Sequence, residues 1–103
     1  MATYLVLFNW TDQGITNVKD TVSRYEQSTQ LAEKHGVRYE QLYWTVGSYD
    51  VAAVFEAPDD EHLSAFLLEL SSAGDLRTTT LRAYNREEMS GILESVARSR
   101  PVL

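Results

Sequence analysis

An α+β fold with the element order β-α-β-β-α-β is predicted by three features of this sequence. Four segments are rich in β-branched, aromatic and leucine residues. Two stretches between them carry apolar residues at helical spacing, and a short loop with glycine joins the second and third β-rich runs. Right-handed crossovers leave few ways to arrange that order. The ferredoxin-like split βαβ is the simplest: a four-stranded antiparallel sheet with two helices on one face, here followed by an extra C-terminal helix. With 103 residues the chain fits one domain, 1–103, which buries about two-thirds of its unfolded surface.

Each element has its own signal. Residues 3–10 read as the first strand, and Thr11, Asp12, Gln13 and Gly14 supply turn chemistry after it. Ile15, Val18, Val22, Tyr25, Thr29 and Ala32 then recur every three or four residues, one face of a helix. Gly36 follows Lys34 and His35, where a helix end places a left-handed glycine after cationic residues. Residues 39–46 and 51–57 form a hairpin around Gly47, Ser48, Tyr49 and Asp50. Pro58 ends the second of these strands, and Asp59 caps a helix with Asp60 and Glu61 in its first turn. Leu63, Phe66, Leu67 and Leu70 are its buried stripe. Gly74 and Asp75 turn the chain into a threonine-rich strand at 77–84. Asn85 and Glu88 are spaced as a capping box, opening a last helix with Met89, Ile92, Leu93 and Val96 on its apolar face. Residues 98–103 are expected to fray.

Charge and composition exclude several classes. The formal charge is −6, from 15 acidic and 9 basic residues, which argues against nucleic acid and anionic membrane surfaces as partners. Cysteine is absent, so no disulfide, thiol nucleophile or thiolate metal site exists. Met1, Ala2 and Thr3 lead into a short apolar run without a basic leader or cleavage site, and a cytoplasmic location is expected. The two histidines, His35 and His62, lie on different elements and lack ligand spacing, so no metal site is expected. No Gly-x-Ser-x-Gly elbow, P-loop or dinucleotide fingerprint occurs, and no cofactor is expected.

Strand alternation puts Leu5 and Leu7 on one face of the first strand and Tyr4, Val6, Phe8 and Trp10 on the other. Both faces are apolar, and the third strand behaves likewise. Helices on one side leave the other exposed, and an apolar patch of that size calls for cover. Pairing with a second copy is the expectation, through the face of Tyr4, Val6 and Phe8; the competing arrangement folds the terminal helix back across the open side.

The run Tyr43-Trp44-Thr45-Val46-Gly47-Ser48-Tyr49-Asp50 resembles the signature of the GYD-domain family, with its Gly-x-Tyr-Asp turn. The flanks agree: Asn9 to Gly14, Glu56 to Asp60 and Arg77 to Ala83. The resemblance covers the chain from about Tyr4 to the terminal helix. It implies a dimeric α/β barrel, a fold shared by cofactor-free monooxygenases, haem enzymes, lactone isomerases and ligand-sensing modules, and it assigns no activity.

Within that frame the candidate ligand contacts are Arg82, Glu56, Tyr43, Tyr49, Trp10, Trp44 and Arg24. Arg82 is read either as an ion pair with Glu56 at the dimer seam or as a fork for an anionic or carbonyl ligand. Tyr4, Tyr43, Trp10 and Trp44 supply an aromatic wall, and Arg24, beside Tyr25, reaches the same pocket. Tyr49 packs over the barrel end or presents its hydroxyl. Asp50 bonds its own neighbouring amides in an Asx turn. No catalytic residue is assigned. Three functions fit this pattern: a homodimeric domain binding or sensing a small hydrophobic or weakly acidic molecule, a cofactor-independent oxygenase or isomerase for an aromatic or lactone substrate, and a structural interaction module.

Overall fold

The computed structural model describes residues 1–98. Its strands are β1 (Ala2–Trp10), β2 (Arg38–Trp44), β3 (Val51–Ala57) and β4 (Leu76–Ala83), and its helices α1 (Asp12–Thr16), α2 (Thr21–Lys34), α3 (Asp60–Ser71) and α4 (Arg86–Arg98). The strands form one sheet in the order β2-β3-β1-β4, every pair antiparallel. This is the ferredoxin-like arrangement with a C-terminal helix added. Residues 99–103, the bulk of the segment expected to fray, lie outside the described residues; Arg98 closes α4. Among the described residues no helix is long and apolar enough to cross a membrane.

Local chemistry explains the helix ends. At the end of α2, Gly36 takes φ 70°, Val37 N–H donates to Ala32 O at 2.9 Å and Gly36 N–H to Glu33 O at 3.0 Å. That pair of bonds is a Schellman cap, which satisfies carbonyls the helix leaves open. Asp59 accepts from His62 N–H at 2.9 Å and starts α3. Asn85 and Glu88 exchange bonds at 3.0 and 2.8 Å, a reciprocal capping box at the start of α4.

The path from β1 to α2 differs from the sequence reading. Gly14 is helical rather than in a turn, and α1 is followed by a 3-10 turn over Val18–Asp20 before α2 begins. The break puts Ile15, in α1, out of register with α2, and Val22 lies in the first turn of α2 off its inward face; both are exposed while Ser28 and Ala32 are buried. β2 likewise ends at Trp44, and Val46 stands in solvent within the hairpin loop.

The core lies between the sheet and α2 and α3. It contains Tyr4, Val6 and Phe8 of β1, Val51, Ala53, Phe55 and Ala57 of β3, and Leu63, Phe66 and Leu67 of α3. The face of Tyr4, Val6 and Phe8 is therefore the inner face, not the pairing face expected above. Bulky rings are needed there to fill the space beneath two helices, and Phe55 sits 4.4 Å from Tyr39 and 5.5 Å from Phe66, centroid to centroid. The open face carries Leu5 and Leu7, beside Val54 and Ala52 on β3 and Leu81 and Thr79 on β4. Tyr43 continues it on β2.

Helix α4 does not fold back over that face. Among the described residues it makes no substantial packing contact with another element, and the molecule extends 54 Å along its longest axis. Met89, Ile92, Leu93 and Val96 form the apolar stripe foreseen for it, and all four are exposed.

Candidate functional site

A cavity of about 110 Å³ lies between α2 and the sheet. Its walls are mostly aromatic and aliphatic: Trp10, Tyr25, Tyr39, Leu42, Trp44 and Leu70. Tyr25 stands edge-on to Tyr39 at 5.2 Å and to Trp44 at 6.1 Å. The Trp44 indole N–H donates to Thr21 Oγ1 at 2.9 Å, fixing the ring across the entrance to α2. Deeper in, the Ser28 and Tyr39 hydroxyls bond at 2.9 Å. Burial pushes the Tyr39 phenol up to about 12, with the Ser28 bond opposing the shift.

One charged pair lines this cavity. Arg24 Nη1 meets Asp75 Oδ2, with the Arg24 side chain 45% exposed and that of Asp75 11%. Asp75 Oδ1 accepts from Gln13 Nε2 at 3.0 Å. The Asp75 backbone is gripped as well. Thr11 N–H donates to its carbonyl at 3.0 Å, and Gly14 packs so closely that a β-carbon there would lie 2.1 Å from that oxygen. Gly14 is thus a close-approach glycine, and α1 forms the cavity's end wall.

Three of the sequence candidates, Trp10, Trp44 and Arg24, line the cavity together. The other four lie elsewhere. Arg82 and Glu56 occupy opposite faces of the sheet: Arg82 pairs in register with Tyr4, and Glu56 with Thr3. The expected Arg82–Glu56 ion pair is therefore absent. Glu56 pairs with Arg38, whose guanidinium is pushed up by hydrogen bonds to Glu40 and Glu56. Arg82 lies 5.5 Å from the Tyr4 ring centroid and 4.6 Å from that of Tyr84, and it reaches Glu88 at 3.4 Å. It ties β4 to the first turn of α4. The Asn85 backbone N–H and then Arg82 hold the Glu88 carboxyl below its usual range. Tyr43 is exposed on the open sheet face and Tyr49 sits in the hairpin loop. Tyr4 is buried beside Asp60, to which its hydroxyl donates. Burial first, then that bond, raises it to about 12.

Asp50 also departs from its expected role. Its Oδ2 accepts from Trp10 N–H at 2.9 Å and its own N–H donates to Phe8 O at 2.8 Å, so it stitches the hairpin to the end of β1. Gly47, at φ 132°, supplies the left-handed bend that brings the loop round. Sequence reasoning marks Asp75 only as a turn residue. Its partner Arg24 is remote in sequence, and no periodicity connects them. Each histidine meets one carboxylate, His35 with Glu69 at 2.9 Å and His62 with Asp59 at 2.6 Å. Among the described residues no three His, Asp or Glu side chains gather as a metal-binding group.

Comparison with known proteins places this geometry in a family. A protein of Thermus thermophilus named glutamine synthetase and cystathionine beta-lyase binding protein is 37% identical over 84 residues, 81% of this chain and 88% of that protein. Among solved structures, MtbAldR superposes with a TM-score of 0.63 at 15% identity, over 82% of this chain. The match spans 54% of the MtbAldR chain, about half its length. The protein TTHA0845, also from Thermus thermophilus, superposes with a TM-score of 0.52 at 24% identity, over 84% of this chain and 100% of that one. These two likenesses concern the fold alone. Residues 4–93 match the GYD domain. The chain belongs to the GYD domain family.

Proposed function

We propose that this protein is a binding domain that takes a small single-ring molecule into the α2 cavity and pairs with a second copy across its open sheet face. The cavity carries the reading. Its volume of about 110 Å³ is of the order of the engineered apolar cavities that admit benzene. Its walls are aromatic, and its polar groups are few and convergent, the usual make-up of a ligand site. Binding is favoured over oxygenase or isomerase chemistry by the titratable groups there. Arg24 and Asp75 neutralise each other, and Tyr39 holds its proton far above neutral pH. A general base works best with a pKa near the operating pH.

The open face supports the pairing. Leu5, Leu7, Val54 and Leu81 form a contiguous apolar strip, and among the described residues the stripe on α4 lacks cover. A second reading comes from the name of the Thermus relative, a binder of two enzymes, under which the same strip would dock another protein. Solution mass distinguishes the two. Under the pairing reading light scattering gives a dimer, and Leu5→Glu with Leu7→Glu gives a folded monomer. A wild type that is monomeric at micromolar concentration overturns the pairing and favours the protein partner.

Ligand binding has a direct reporter. The chain has two tryptophans, and both line the cavity. Native mass spectrometry of freshly purified protein is expected to show a retained small molecule, and single-ring compounds are expected to change tryptophan fluorescence saturably. No response to any ring compound at millimolar concentration would refute the cavity as a binding site.

A further inference from the structure

Two apolar surfaces of this chain lack cover among the described residues, and they match each other. One is the stripe of Met89, Ile92, Leu93 and Val96 on α4, all exposed. The other is the open sheet face, where Leu5, Leu7 and Val54 stand beside Leu81, itself 47% exposed. A soluble monomer seldom leaves such patches in water. Their dimensions agree. With 13 residues α4 is about 20 Å long, and four strands about 4.8 Å apart make a face about 19 Å wide. A helix laid across the strands therefore spans all four. The two surfaces do not meet within one chain. The Asn85–Glu88 capping box and the reach of Arg82 to Glu88 at 3.4 Å set the direction in which α4 leaves β4, and that direction carries it away from its own sheet. Left alone, a helix of 13 residues is marginal in water, because helices in proteins draw most of their stability from packing an amphipathic face.

We infer, on the premise of the pairing proposed above, that α4 is an exchanged arm: in the dimer, the α4 of each copy lies across the open sheet face of the other. The alternatives each leave apolar surface wet. Sheet face packed directly on sheet face covers the strands but strands both α4 stripes. An α4 stripe packed on its counterpart covers the helices but neither sheet. Arm on face covers all four surfaces at once. Exchange about a twofold axis also makes two identical seams and closes, so no surface remains to propagate the contact into a filament. Area points the same way. One stripe of four side chains falls short of the roughly 800 Å² that each partner gives to a standard interface, whereas each copy here contributes a stripe and a sheet face together.

The test uses two full-length variants and light scattering over a range of concentrations. Ile92→Glu with Leu93→Glu charges the arm, and Leu5→Lys with Leu7→Lys charges the face. Each variant alone is expected to dimerise at least about a hundredfold more weakly than wild type, because both seams then bury charges without partners. Mixed in equal amounts, the two are expected to recover at least about tenfold of that loss. One seam of the mixed dimer joins an unaltered arm to an unaltered face, and the other sets opposite charges against each other. A wild type that is monomeric at micromolar concentration overturns the pairing itself. With a dimeric wild type, an arm variant that pairs as tightly overturns the exchange and leaves sheet-to-sheet pairing. A face variant that pairs as tightly overturns it in favour of arm-to-arm pairing, and so does a mixture that recovers nothing. Should either variant fail to fold, wild-type protein mixed from differently isotope-labelled copies decides. Nuclear Overhauser contacts between Ile92 of one copy and Leu5 or Leu7 of the other are expected, and their absence from a dimeric sample overturns the exchange.

Discussion

Replacing Gly14 with alanine brings a methyl group within 2.1 Å of the Asp75 carbonyl oxygen and 3.0 Å of its carbon. The obstacle is backbone, so no side chain can swing aside, and α1 must part from the segment before β4 by more than an ångström. That segment is where Thr11 N–H reaches Asp75 O at 3.0 Å and Gln13 Nε2 reaches Ala73 O at 2.9 Å. Overpacking of this kind costs about 1–3 kcal/mol, and one weakened hydrogen bond adds about 1 kcal/mol. The better helix propensity of alanine returns about 1 kcal/mol. The expected net loss is about 2 kcal/mol, a sizeable part of the roughly 5–15 kcal/mol that holds a typical domain folded. Urea denaturation measures it as a lowered midpoint with an unchanged slope. Two other glycines calibrate the result. Gly47 has nothing within 4 Å but sits at φ +132°, so alanine there costs only the backbone strain, about 1 kcal/mol. Gly91 is in α4 with nothing within 4 Å, and alanine there strengthens the helix. A Gly14→Ala protein within about 0.5 kcal/mol of wild type would refute the close-approach argument, since surface substitutions fall in that range.

Two further outcomes follow from the hydrogen bonds. Asp50→Ala leaves the Trp10 N–H without its acceptor and is expected to destabilise the fold by about 1–3 kcal/mol, whereas Asp50→Asn, which keeps an acceptor oxygen, costs less; equal stability of Asp50→Ala and wild type in denaturant would refute the stitch. In alkali, the phenolate absorbance of two of the six tyrosines, Tyr4 and Tyr39, is expected to appear only near pH 12. Their folded pKa values lie above the ordinary phenol value of 10.0, so their stabilising contribution is whole below pH 10.0 and is lost as pH rises towards 12. Titration of all six together in the folded protein would contradict the buried placement of Tyr4 and Tyr39.

What is legible in the sequence is local. Gly36, Asp59 and the Asn85–Glu88 box are helix-end devices whose partners lie within a few residues, and each forms as read. The order of strands and the stripe of α3 are equally local, because burial repeats with the period of the element. The two faces of β1 are separable by alternation, but both are apolar, and alternation does not say which one the helices cover. The volume of Phe8, Tyr4 and their neighbours settles that, since rings fill the thick layer and Leu5 and Leu7 face outward. Charge alone pairs Arg82 with Glu56, and the register puts them on opposite faces. Arg24, Trp10 and Trp44 meet in the cavity because α2 crosses above the ends of β1 and β2, while Asp75, their long-range neighbour, carries only a turn signal in the sequence and none that links it to Arg24.

The bond from Trp10 N–H to Asp50 also links motion at two places. Trp10, Trp44 and Val51 all line the cavity, and Trp44 and Val51 border the hairpin loop on either side. Opening of the loop therefore releases the Trp10 amide and loosens three segments of cavity wall at once. The exchange rate of that single amide with solvent deuterium is a clock for the opening. Under the proposed binding, a ring between α2 and the sheet would hold the loop shut from within, and occupancy of the cavity would lengthen the lifetime of that one backbone proton.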